Sequence, residues 1–334
     1  MTVVSHSRIV LVTGCSDGGI GYHLALEFAA QGCVVFAGVR SPPKAQSLGT
    51  NTNITLVELD ITDDTSVTNA LALISEATGG HPIDILVNNA GVFCVSPVAE
   101  TNSQRVQSTF DTNVVGLARM CSAVAPAMID RRRGAIVNIG SVSGYVATPW
   151  VGVYAATKAA VHAYSDALRM ELCPFGVSVV VVAPGSVRSN LVANHGANLL
   201  EQDSKYARAR GAVEMRAELS QAGDSMAAQE FARSVVSRIL SSSRLPAYIT
   251  CGTHAAVMWL MYYVPPIIRD RIFAIRFGTR QLGKDVGPGN ACPVSGRSGG
   301  GCPMSVSPSC PITSPSVLCV AASVAAAALY YLCR

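Results

Sequence analysis

Charge is scarce in this sequence. Asp, Glu, Lys and Arg make up 14% of its 334 residues and apolar types 49%, which excludes a disordered, self-repelling chain and points to a globular body with a leaning towards membrane or lipid. Dense basic blocks are missing too. The formal charge is +4 and the main basic run is Arg131-Arg132-Arg133, which reads as a solvated turn between helix and strand, so nucleic-acid binding has no support. Eleven cysteines are an odd set. Those of the body (Cys15, Cys33, Cys94, Cys121, Cys173, Cys251) lack any C-x-x-C spacing, read as buried reduced thiols and offer nothing to a zinc site. Residues 1–7 are polar and run straight into Ile9-Val10-Leu11-Val12. That leaves no room for a signal peptide, so the folded body is expected on the cytosolic side.

What the sequence does have is a steady alternation of strand and helix. Residues 9–12 form a short apolar run of the kind found in parallel sheets. Thr13-Gly14-Cys15-Ser16-Asp17-Gly18-Gly19-Ile20-Gly21 follows, and then helical apolar spacing to Gly32. A strand, a glycine-rich turn and a helix in that order can cradle a phosphate on free N–H groups at the helix N-terminus; an ordinary tight turn is the bland alternative. A second strand, 33–39, ends at Arg40 with no acid beside it. An arginine there can grip a 2′-phosphate, which favours NADPH over NADH, unless it is merely an exposed loop residue. Further strands are predicted at 54–59 (leading to Asp60), 83–87 (closed by Asn88-Asn89-Ala90-Gly91), 134–140 and 177–182, with helices at about 66–77 and 106–128, the latter carrying Asn113. The economical architecture is α/β, a doubly wound parallel sheet.

After the 134–140 strand, Ser141 precedes Tyr154-Ala155-Ala156-Thr157-Lys158, a tyrosine and a lysine one helical turn apart, on a helix running to Leu172. A free tyrosine has a pKa of roughly 10; a nearby ammonium favours its phenolate and would make Tyr154 a general acid/base near neutrality. Ser141 could hold a carbonyl oxygen against that phenol. Taken alone, the Tyr-Lys pair could equally be a snorkelling helix face. Residues 192–226 are polar, Ala-rich and inserted between core elements, where a substrate lid would sit. His162 reads as a structural histidine and His195 as a loop residue.

Thr13-Gly14 with Gly19-Ile20-Gly21, Asp60, Asn88-Asn89-Ala90-Gly91, Asn113, Ser141, Tyr154 with Lys158, and Pro184-Gly185 agree in order and spacing with the classical short-chain dehydrogenases/reductases, which the chain resembles over roughly residues 7–253. Within that family, Thr13-Gly14-Cys15-Ser16 and Phe36-Ala37-Gly38-Val39-Arg40 resemble fungal NADPH-dependent 1-acyldihydroxyacetone-phosphate reductases. The resemblance implies a single Rossmann catalytic domain, residues 1–253, that binds NADP(H). It implies Tyr154 as proton donor, Lys158 as the group that lowers its pKa and holds the nicotinamide ribose, Ser141 as carbonyl orienter and Asn113 as anchor of a proton-relay water. Asp60 would contact the adenine and Asn88 would line the cofactor. Pro184, Gly185, Val187 and Ser189 would flank the carboxamide, and Thr13, Gly14, Ser16, Gly19, Ile20, Gly21, Ala90 and Gly91 would complete the cradle. The glycine turn is one residue longer than the common form, which leaves Ser16, Asp17 and Gly18 without a clear assignment. Ser189 stands where the family usually has threonine.

The tail departs from the family. Residues 254–284 are apolar, then greasy and basic around Pro265-Pro266; they suit either a membrane-surface element or a cover over the substrate pocket or a subunit interface. Residues 285–316 form a Gly/Pro/Ser linker with Cys-Pro units at 292, 302 and 310, irregularly spaced and without nearby histidine. Residues 317–334 read as a tail anchor for the endoplasmic reticulum or a lipid droplet. The expectation is an NADPH-dependent carbonyl reductase for a lipophilic substrate, as homodimer or homotetramer, with 1-acyl-dihydroxyacetone phosphate as one substrate. A steroid, retinoid or secondary-metabolite ketone is the alternative within the class, and a catalytically silent membrane-tethered nucleotide scaffold the alternative outside it.

Overall fold

The structure is a computed structural model that describes residues 7–190, 199–221, 223–242 and 244–283. The chain opens with β1 (Ile9–Thr13), α1 (Ile20–Ala30), β2 (Val34–Val39), β3 (Ile54–Glu58), α2 (Asp64–Ala77) and β4 (Ile85–Asn88). It continues through α3 (Ser103–Phe110), α4 (Leu117–Asp130), β5 (Gly134–Ile139), α5 (Gly152–Leu172) and β6 (Val177–Pro184). The last part holds β7 (Val187–Arg188), α6 (Arg210–Glu218), β8 (Met226–Ala227), α7 (Ala228–Ser241), β9 (Tyr248–Cys251), α8 (Ala255–Met261) and α9 (Pro266–Arg276). Seven strands form one parallel sheet in the order β3-β2-β1-β4-β5-β6-β9. The order reverses between β1 and β4. At such a point the neighbouring connections leave to opposite faces and open a crevice at the carboxyl ends of the strands.

The strands are continuous apolar runs because both sheet faces are covered. Alternate residues serve opposite cores: Val10 and Val12 of β1 pack with Leu24, Phe28 and Phe231 under α1 and α7, while Ile9 and Leu11 pack with Met120, Val124 and Val161 under α2, α4 and α5. Complete burial of side chains the size of Phe28 or Met120 contributes about 1.5–3 kcal/mol each. The stretch Ser103–Asp130 has the length and hydropathy of a membrane span. Met120, Cys121, Val124 and Met128 are nonetheless spent on the sheet, which marks a core helix.

Element boundaries moved where side chains compete for backbone groups. The second helix begins at Asp64, two residues early, because the Asp63 carboxylate caps the Thr65 and Ser66 amides. The fourth strand begins two residues late, since the Asp84 carboxylate takes the Ile9 amide at 2.9 Å. The helix expected at 106–128 begins at Ser103 and carries a π-helical turn, Asp111–Gly116, which contains Asn113. Cys173 is exposed, unlike the buried Cys15, Cys33, Cys94 and Cys121.

A third apolar cluster sits over the carboxyl edge of the sheet. It joins Cys94, Val95, Trp150, Tyr154 and Val213 to Met261, Val264, Phe273 and Phe277, and the Trp150 indole donates to the Phe277 carbonyl at 2.8 Å. Residues 254–283 are thereby fastened over the crevice. The outer side of the same element leaves Trp259, Tyr262, Tyr263, Ile267, Ile268 and Ile275 exposed. The 285–316 linker, the 317–334 tail and His195 lie outside the described residues.

Candidate active site

A cleft of about 1520 Å³ runs along the carboxyl edge of the sheet. At one end lie Gly14, Ser16, Gly19 and Ile20; at the centre Ala90, Gly91, Ser141, Tyr154, Lys158, Pro184, Gly185, Val187 and Ser189; Arg40 and Asp60 line it beside β2 and β3. Gly14 sits at φ +72°, and a Cβ there would come within 2.7 Å of the Ala90 Cα. Only glycine lets the first turn pass this close to the fourth strand. Gly19 precedes α1 with no side-chain cap and no acid in the first turn, so the helix N-terminus keeps its amides and positive end for an anion. That is a good match to a dinucleotide pyrophosphate.

Three predicted contacts are not made. Asn88 does not line the cleft: it is buried, and its amide donates to Asn138 Oδ1 at 2.9 Å and Cys121 Sγ at 3.3 Å. A strand alternates its side chains, so it is Asn89 that reaches the cleft, donating to the carbonyls of Thr13 and Gly14. Thr13 faces inward as well; its hydroxyl accepts the amides of Asn89 and Ala90 at 3.0 Å each, tying β1 to β4. Gly21 is absent from the lining and serves packing, since a Cβ there would meet the Asn89 amide at 2.4 Å.

Ser141 follows β5, while Tyr154 and Lys158 stand in the first two turns of α5. The Lys158 ammonium donates to the Ile139 carbonyl at 2.7 Å and lies 5.7 Å from the Tyr154 ring centre. Phe93 packs edge-on against that ring at 4.8 Å. Asn113 is locked by hydrogen bonds with both backbone groups of Val92 and with the Thr157 hydroxyl. A Cβ added to Gly91 would lie 3.2 Å from Asn113 Oδ1 and 3.8 Å from Lys158 Nζ, so the two groups face one another across that glycine. Behind Ser141, the His162 imidazole accepts the Ser141 amide at 3.4 Å and packs against Tyr145 and Tyr248. Burial, helped by the Lys158 charge, pulls its pKa down to about 4, so it is neutral near pH 7 and braces the loop.

The electrostatics differ from expectation. Burial raises the Tyr154 pKa above its ordinary value; the Ser141 hydrogen bond and the Arg216 charge oppose this without reversing it. The sequence had given that opposing part to Lys158. Lys158 is itself desolvated, to about 8, and is spent on a backbone carbonyl. A second cation whose charge reaches the phenol is Arg216 of α6, which the sequence reading missed because the 192–226 insertion carries no motif. Lys44 and Ser41, beside Arg40 in the cleft lining, lie after the second strand in a stretch that carries no motif either. Asp60 is held below the usual carboxylate range: burial works against this, but the Thr62 hydroxyl and amide and the charges of Arg40 and Arg119 prevail.

A parallel sheet with a glycine-turn cradle and a Ser-Tyr-Lys set at its carboxyl edge defines a Rossmann-like oxidoreductase. The short chain dehydrogenase family model matches residues 8–199, and the chain belongs to that family. A short-chain dehydrogenase of Penicillium crustosum is 38% identical over 82% of this chain and 99% of its own. An NADPH-dependent 1-acyldihydroxyacetone phosphate reductase of Schizosaccharomyces pombe is 38% identical over 55% of this chain and 61% of its own. Among solved structures, a closed serine dehydrogenase complexed with NADP+ superposes with TM-score 0.61 at 29% identity, over 72% of this chain and 92% of that one.

The buried ammonium has a measurable signature. A lysine whose folded pKa is about 8 and whose unfolded pKa is ordinary opposes folding while charged. Stability from this group therefore rises with pH between about 8 and 10.5, by about 3 kcal/mol in full. Thermal unfolding of the nucleotide-free protein and of Lys158→Met at pH 7 and pH 10 should show wild type gaining on the variant as pH rises. A constant difference would mean the ammonium is not desolvated.

Proposed function

We propose that the protein is an NADPH-dependent carbonyl reductase for a lipophilic substrate, a 1-acyl-dihydroxyacetone phosphate being the leading candidate. The observation that carries this reading is the set of Ser141, Tyr154 and Lys158 on the wall of a cleft whose other end, at Gly14, Ser16, Gly19 and Ile20, fits a phosphorylated nucleotide. Bound NADPH supplies a hydride to the carbonyl carbon. The chain's own residues do the rest. Ser141 donates a hydrogen bond to the carbonyl oxygen and holds it against Tyr154, whose hydroxyl gives up its proton as charge builds on that oxygen. The protonated phenol is the form required for reduction. Lys158, near 8, can exchange protons with solvent close to neutrality, by way of the Asn113 side across Gly91. Pro184, Gly185, Val187 and Ser189 would flank the nicotinamide. Arg40 and Lys44 together would hold the 2′-phosphate, charge-assisted contacts that NADH cannot offer.

The NADPH-dependent relative and the NADP-bound structural neighbour support the cofactor choice. The apolar lining from Phe93, Met258, Phe273 and Phe277 supports a lipophilic substrate. The exposed Trp259, Tyr262, Tyr263 and Ile267 favour a position on a membrane surface, where aromatic and apolar side chains sit well at the headgroup level.

NADPH oxidation should be followed against 1-acyl-dihydroxyacetone phosphates, steroids, retinal and aromatic ketones. Tyr154→Phe should lower the rate on the accepted carbonyl at least a hundredfold; equal rates would remove the mechanism. Arg40→Asp with Lys44→Gln should cut the affinity ratio of NADPH to NADH at least tenfold, and an unchanged ratio would show that selection lies elsewhere. For the surface, sedimentation with phosphatidylcholine vesicles should fall when Trp259, Tyr262 and Tyr263 are changed to Ser in a chain ending at residue 283. Equal sedimentation of the two would exclude that face.

A further inference from the structure

Arg216 is an arginine in an apolar wall with no acid among the described residues paired to it. Its guanidinium carbon lies 5.8 Å from the ring centres of both Phe93 and Phe277, and Nε–H donates to the Thr148 hydroxyl at 3.2 Å. The aromatic rings hold its faces and Thr148 its inner edge, which leaves the two terminal NH2 groups as uncommitted donors. Among the described residues no carboxylate lies within ion-pair distance of it. Of the three aspartates that line the cleft, Asp17 accepts the Ser47 hydroxyl, Asp60 accepts Thr62, and Asp224 faces His254 at 3.7 Å.

Such an arrangement is costly unless something completes it. A partly desolvated cation without a counter-ion opposes folding, and its contacts with two aromatic rings return only part of what it loses. The neighbours of Arg216 are Thr148, Phe93, Phe277 and the Tyr154 phenol, none of them from the glycine turn, so the charge faces the substrate end and not the nucleotide phosphates. A second arginine, Arg276 of α9, lines the same end and contacts Met215 Sδ at 3.5 Å. Met258, Leu219 and Phe273 supply apolar wall around the pair.

We propose that Arg216 is the receptor for an anionic group, a carboxylate or a phosphate, carried by the same molecule that presents its carbonyl to Tyr154. The substrate class is then an anionic amphiphile: an apolar body against Phe93, Met258 and Phe273, with a negative head in the terminal NH2 groups of Arg216. This rests on reading the cleft as a carbonyl-reducing site, and it adds a requirement which that reading does not make. Steroids and retinal, neutral molecules, would leave Arg216 without a counter-ion and are disfavoured by the same measure.

The test is calorimetric binding of four probes with one chain length to the full-length protein saturated with NADP+: decyl phosphate, decanoate, decan-1-ol and decylammonium. At least one of the two anions should bind ten times more tightly than decan-1-ol, and decylammonium should bind no better than the alcohol. Whichever anion binds more tightly identifies the head as phosphate or carboxylate. Arg216→Gln should reduce the anion advantage to less than twofold with decan-1-ol affinity held within twofold, and Arg216→Lys should keep an intermediate advantage. Thr148→Val, which frees Nε, provides a second variant with a partial loss should the glutamine variant fail to fold. A wild type without anion preference, no binding of either anion, or a preference that survives in Arg216→Gln would each overturn the proposal. Tyr154→Phe should keep the preference while losing turnover. If wild type prefers the anion yet reduces no carbonyl, the reductase reading falls and the receptor stands; turnover of neutral ketones without anion preference gives the reverse.

Discussion

Desolvation at the carboxyl edge of the sheet is the constraint on which the site depends. Tyr154 and Lys158 are buried and Arg216 is half-buried beside them, and the ordinary balance of their charges gives way to burial: the phenol goes up and both cations come down. The phenol is held in its protonated form, an ammonium near 8 can trade protons close to neutrality, and a guanidinium without a counter-ion invites one.

The fold secures that withdrawal in two layers. The sheet and α5 fix Ser141, Tyr154 and Lys158 from below, through the Lys158 bond to the Ile139 carbonyl and the packing of His162 behind Ser141. From above, α6 and the 254–283 element cover the cleft, with Trp150 bonded to Phe277 and the Arg216 guanidinium over the Phe277 ring. These late helices therefore wall the side of the cleft on which Tyr154 stands.

Much of this was legible in the sequence because it is local. Apolar runs bounded by turns gave the six early strands of the sheet, and the four-residue spacing placed Tyr154 and Lys158 on one helix face. Asn88 was misjudged because a motif names a segment, whereas strand alternation decides which of two adjacent asparagines faces the cleft. Arg216 is a tertiary fact, and so is the choice among the alternatives open for residues 254–283. Only packing against Phe93 and Thr148 gives Arg216 its place in the site, and the Trp150 bond to Phe277 fastens the late element over the cleft. The source of the charge on Tyr154 changed for the same reason: sequence distance favoured Lys158, while spatial environment gave the part to Arg216.

The most direct measurement is the titration of Tyr154 itself in the free protein, by 13C NMR of ζ-labelled tyrosine with Tyr154→Phe used to assign the resonance. Burial dominating over charge predicts a phenol that titrates above the ordinary tyrosine value and moves higher still in Arg216→Gln. A phenol ionising near pH 7, or one indifferent to Arg216, would contradict it.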